Sequence, residues 1–149
     1  MRPNHPTGTW RRRLRIGLSI FYGLAGILHI AWPAPFLTIT PGWVPMPQIV
    51  ILATGVCELA GAVGLWNRRT LRLAAIGLAL YAVCVYPANI KHAFDGLTAT
   101  DVNLLTWVYH VPRLALQPVI VWLPLFASGL VTWPLAGLFR TPDPKPSLD

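Results

Sequence analysis

Four stretches of the chain, Leu14 to Trp32, Gln48 to Trp66, Leu71 to Ile90 and Pro112 to Trp133, are almost wholly apolar. Each holds about 20 residues, the length a helix rising 1.5 Å per residue needs to cross a ~30 Å hydrocarbon core. A soluble domain would have to bury all four, and a chain of 149 residues, 54% hydrophobic and 11% charged, cannot supply that interior. The expected fold is therefore an all-α integral membrane protein, a four-transmembrane-helix bundle.

Segments between the stretches set the domain plan. Residues 1–13 read as a basic cytoplasmic tail with little structure of its own, 14–133 as the membrane domain, and 134–149 as a proline-rich cytoplasmic tail. A signal peptide is the rival reading of the start, but its apolar region would be too long and Trp32-Pro33 is a poor cleavage site. Between Pro33 and Pro47 the proline density forbids a continuous helix and suits an interfacial loop. Asn67 to Thr70 reads as a tight turn, Pro87 as an interruption of the third span, and Lys91 to Val111 as a polar connection.

Charge gives the orientation, because Lys and Arg stay cytoplasmic. Arg2, Arg11, Arg12, Arg13 and Arg15 flank the first span, Arg68, Arg69 and Arg72 lie at the second turn, and Arg140 and Lys145 are in the last tail. The opposite side has only Lys91, with Arg113 at its border. Both termini are expected in the cytoplasm, in a bacterial inner membrane. The net charge of +7 sits beside apolar runs with no aromatic-interleaved patch, which argues for lipid headgroups and against nucleic acid. Cys57 and Cys84 form neither a disulfide framework nor a metal spacing and read as small apolar residues.

Within this pattern Glu58 is the anomaly, a carboxylate inside VILATGVCELAGAVGLW. Placing a charge at the bilayer centre costs at least ~2.5 kcal/mol, so such a residue calls for a partner. It lies ten residues from the outer end of its helix, ~15 Å deep. Helical spacing puts Ser19, Tyr22, Gly23, Gly26 and His29 on one face of the first span, and Ala75, Ala79, Ala82, Tyr86 and Asn89 on one face of the third. His29, Asn89, His92, Arg113 and Gln117 all fall at the outer ends of their spans. His29 leans toward Glu58, and Arg113 is the candidate countercharge. Pro87 and Pro118 free the carbonyls of Val83 and Leu114 at a similar level. Glu58, His29, Asn89, His92, Arg113 and Gln117 are thus read as the ligand-binding set of an outward-facing polar pocket. A structural tie at Glu58 is the alternative. A metal site from Glu58, His29 and His92 is not expected, since no helix carries two ligands at i, i+3 or i+4.

Several motifs resemble the DoxX-like family of small bacterial membrane proteins over about Leu14 to Trp133. They are Gly26-Ile27-Leu28-His29 with Pro33-Ala34-Pro35-Phe36, Gly55-Val56-Cys57-Glu58-Leu59-Ala60-Gly61, Pro87-Ala88-Asn89-Ile90-Lys91-His92-Ala93 and Arg113-Leu114-Ala115-Leu116-Gln117. Ala115 departs from the pattern, where a proline would precede the Leu-Gln pair. The resemblance implies association with respiratory or thiol redox systems, since one relative is a membrane subunit of a thiosulfate to quinone oxidoreductase. It also implies a quinone as ligand, and a partnership with a redox complex or a second copy. No haem ligand pair, flavin motif or CxxC accompanies it, so electrons would come from a partner. Two other readings stand beside this one: a proton-coupled transporter component with Glu58 as the coupling carboxylate, and a non-catalytic assembly subunit.

Overall fold

The computed structural model of the chain describes residues 6–133, and the expected tail at 134–149 lies outside them. Six helices follow in order: α1 (Pro6–Ala31), α2 (Ala34–Ile39), α3 (Pro47–Gly64), α4 (Leu71–Leu97), α5 (Leu104–Ala115) and α6 (Gln117–Ser128). No strand occurs among the described residues. Thr9–Ala31 of α1, together with α3 and α4, is long and apolar enough to cross a membrane; α5 and α6, bent 43° at their junction, pass the same test only as a pair.

The outward faces fit such a solvent. Leu24, Leu73 and Leu80 stand well exposed, and the interior is a small cluster of Leu18, Tyr22, Ala62, Leu65, Ala75, Leu78 and Ala127. Helix α5 is inside out by aqueous standards. Its Leu104, Leu105, Trp107 and Val108 point outward, and His110 is its one buried residue. That arrangement lowers free energy only where the surroundings are apolar.

Helix α1 packs most extensively on α3 and α4 on α6, and α3–α4 and α1–α6 contacts close the ring. Small residues make the first contact close. A methyl group on Gly26 would stand 2.7 Å from the Gly55 carbonyl oxygen, and one on Gly55 would stand 2.9 Å from the His29 Cβ. At the arginine-rich end, Trp66 Nε1 donates to Ser19 Oγ at 2.6 Å, and Ser19 Oγ donates to the Ala62 carbonyl at 2.7 Å. The expected Asn67–Thr70 turn is present; Asn67 Oδ1 accepts from the Arg69 amide at 2.9 Å. Arg11 lies over Phe126, 5.2 Å from the ring centroid, near the end of α6.

Several boundaries differ from the sequence reading. The basic tail is helical from Pro6, since nothing in RRRLR breaks the helix and its arginines project from the first turns. Pro33 and Pro35 sit at the start of α2, where a missing amide proton costs nothing, so the proline-rich loop contains one short helix. Helix α4 runs through Pro87 to Leu97, so Pro87 does not end it. The expected connection 91–111 consequently holds the end of α4, the start of α5 and only six non-helical residues, 98–103, between them. Pro112 lies inside α5, and the fourth apolar stretch breaks at Leu116, just ahead of Pro118. Helix α6 stops at Ser128, because Gly129 takes a left-handed φ of 83° and its amide turns back to the last turn.

Candidate functional site

The close approach of α1 to α3 at Gly26 and Gly55 brings His29 against Glu58 one turn further along each helix. Glu58 is 3% exposed. His29 Nδ1 lies 2.8 Å from its Oε2, and Tyr81 Oη, from α4, donates to its Oε1 at 2.8 Å. Three helices thus meet at one carboxyl group. Phe36 of α2 stacks on the imidazole, with centroids 3.8 Å apart and planes at 24°, and covers it from the loop side.

Hydrogen bonding here is unevenly distributed. His29 Nδ1 is also 2.9 Å from the Ala25 carbonyl. A proton on Nδ1 points toward that carbonyl, so Oε2 has proximity to the ring and no well-directed donor. Tyr22 Oη, on a residue 2% exposed, has no partner among the described residues. Its ring stands edge-on to Tyr81 at 6.3 Å. The pair can exist as imidazolium with carboxylate, or as neutral imidazole beside a neutral acid. Buried acid and base groups in such contact are equipped to hold and pass a proton.

A second polar group lies between α4, α5 and α6. Arg113 Nη2 donates to Asn89 Oδ1 at 2.6 Å, and Nη1 reaches Tyr109 Oη at 3.3 Å, with the guanidinium carbon 5.6 Å from the Tyr109 ring centroid. Asn89 Nδ2 donates to Gln117 Oε1 at 3.3 Å, and Gln117 Nε2 donates to the Ala82 carbonyl at 2.5 Å. His92 sits edge-on to His110 at 4.7 Å and to Tyr109 at 6.0 Å. His110 is 4% exposed and its Nδ1 is unpartnered among the described residues.

The six expected residues therefore form two groups and not one. His29 is the neighbour of Glu58, as the leaning of the two side chains implied. Arg113 is not its countercharge. The guanidinium is spent on Asn89 and Tyr109, a route shorter than turning down toward the middle of α3. His92 likewise faces α5 and not Glu58. The acceptor that Gln117 uses is Ala82, one residue before the carbonyl freed by Pro87. Tyr81, Tyr109 and His110 were not among the six. The Asn103-x-x-Thr106 capping box, seen as Thr106 N donating to Asn103 Oδ1 at 3.1 Å, is the sequence signal for α5 and hence for the last two.

Two cavities flank these groups. One of about 960 Å³ runs between α3 and α4, with Cys57, Tyr81 and Cys84 at one end and Asn67 and Thr70 at the other. The second, about 280 Å³, is bounded by Val83, Tyr86, Gln117, Pro118 and Val121. Glu58 lines neither. Cys57 and Cys84 are both free thiols. No group of three His, Cys, Asp or Glu able to hold a metal exists among the described residues.

A family model described as Domain of unknown function (DUF8561) matches residues 18–127. The chain belongs to that family. The matched stretch takes in every residue of both polar groups. No curated protein and no solved structure matches the chain.

Proposed function

We propose that this member of the DUF8561 family is a multi-pass protein of the bacterial inner membrane, with α5 and α6 together making the fourth span and both termini cytoplasmic. Its site takes up a quinone-like or other amphipathic small molecule, and the protein works beside a redox complex, as the DoxX-like motifs imply. One observation carries this reading: a carboxyl group 3% exposed, on an apolar helix, with a histidine and a tyrosine from two other helices each 2.8 Å away. Burying an ionisable group in a bilayer is costly, and coupling it to a base favours a role in proton exchange.

The residues fit a ligand oxygen. Glu58 Oε2 and Tyr22 Oη are buried polar atoms with spare hydrogen-bonding capacity. When bound, a quinone would supply oxygens whose protonation state changes with its redox state. Glu58 and His29 exchange the proton and Tyr81 holds the carboxyl in place, while Arg113, Asn89 and Gln117 form the separate group that ties α4, α5 and α6 together. Glu58 lines neither cavity, so a ligand would reach it only by displacing α2, which packs against α3 and α4 with Phe36 on His29.

Purified protein in lipid nanodiscs, titrated with a short-chain benzoquinone, tests this. A ligand-dependent rise in thermal midpoint that disappears in Glu58→Gln is expected. A wild-type protein with no rise, or a variant with the same rise, sinks the proposal. The scaffold reading is favoured by how completely Glu58 is enclosed. It expects Glu58→Gln to lower folded yield while no ligand effect exists in either protein.

A further inference from the structure

The α3–α4 cavity is a groove built from missing side chains. Its walls carry Ala60, Gly61 and Gly64 from α3 and Ala74 and Gly77 from α4, with Leu73 and Leu80 at its edges. Its volume of about 960 Å³ is at the upper end of the roughly 300 to 1,000 Å³ of small-molecule sites. From Thr70 to Cys84 it follows fourteen residues of α4. That is ~21 Å at the helical rise, slightly more than the ~15 Å hydrocarbon depth of one leaflet.

At its polar end the groove is lined by Asn67 and Thr70, the two ends of a turn that carries the exposed Arg68 and Arg69, with the exposed Arg72 following in the first turn of α4. These arginines have no carboxylate among the described residues to pair with. Glu58 is enclosed by His29 and Tyr81, Lys91 binds Asp95, and Asp101 lies beyond the far end of α4. An apolar channel about one leaflet deep thus ends at a turn that carries or borders three arginines with no carboxylate partner among the described residues. We infer that it is a binding site for an anionic phospholipid, with one acyl chain lying between α3 and α4 and the phosphate held by Arg68, Arg69 and Arg72. Arginine matches phosphate by forked hydrogen bonds, and the charge is what distinguishes this lipid from the zwitterionic bulk.

Two variant sets separate chain from headgroup. Arg68→Gln with Arg69→Gln and Arg72→Gln removes charge from exposed positions. Gly77→Leu fills the groove, since a Cβ at Gly77 meets nothing within 4 Å; Ala60→Leu fills it from the other wall. Native mass spectrometry of protein released from nanodiscs of equal phosphatidylglycerol and phosphatidylcholine, matched in acyl chains, gives the readout. Wild type is expected to retain phosphatidylglycerol about fivefold over phosphatidylcholine. The glutamine variant falls to parity, and the two leucine variants lose bound lipid while keeping wild-type helical content. Equal retention of both lipids by wild type overturns the inference. So does a covalent dimer through Cys57 or Cys84 on mild oxidation in the bilayer, which would make the groove a contact between copies.

Discussion

At the scale of single residues, the carboxyl of Glu58 is held by groups of unequal standing. Tyr81→Phe removes one directed hydrogen bond and leaves the packing, so it should cost roughly 0.5 to 1.5 kcal/mol, as such bonds do in membranes. Removing the hydroxyl is not expected to unfold the protein, which steric trapping or denaturant titration in detergent would check. Gly26→Val is expected to be worse, at roughly 1 to 3 kcal/mol, because its side chain would meet the Gly55 backbone and push α1 from α3. Gly17→Ala, in open space, serves as the control and should be neutral or mildly stabilising. Glu58 and His29 were legible in the sequence because a charge and an imidazole stand out against apolar neighbours. Tyr81 was not. A tyrosine in an apolar run looks like packing, and the small-residue stripe pointed to Tyr86, which lines the smaller cavity instead.

At the scale of elements, the short helix α2 lies over the His29 imidazole through Phe36. If α2 covers the outward side of the pocket, Phe36→Ala uncovers the imidazole. Modification of His29 by a histidine-selective reagent should then speed up severalfold, with His92 as an internal reference. An unchanged rate would mean that α2 is not the barrier. Helix α5 depends on α4 through Arg113 and His110. Arg113→Ala removes hydrogen bonds of a charged donor, worth roughly 1.5 to 3 kcal/mol. Amide exchange should rise over Leu104–Ala115, while α1 and α3 stay as protected as before. The long helices α1, α3 and α4 were readable from apolar length; α2 and α5 were not. Nor were helix boundaries, because Pro33, Pro35 and Pro87 read as breaks and Pro112 as the start of a span. The chain places the first two at a helix start and carries the last two inside α4 and α5.

At the scale of the whole molecule, apolar faces turned outward and polar groups turned inward make one consistent picture of a protein dissolved in lipid. The arginine-rich turn between α3 and α4 lies at one end of those helices, and the Arg113 group joins α4, α5 and α6 near the other end of α4. What the linear sequence could not supply was the division of the polar residues. Depth put Arg113 at the outer end of its span and Glu58 about 15 Å below, and the nearer acceptor for the guanidinium is Asn89, at the same outer level on α4. The central claim is that Glu58 is a buried acid which a ligand engages. Difference infrared spectroscopy on adding a short-chain benzoquinone to protein in nanodiscs tests it most directly. A ligand-induced change in the carboxyl stretching region that vanishes in Glu58→Gln is the expected result; no change, or the same change in the variant, would contradict it.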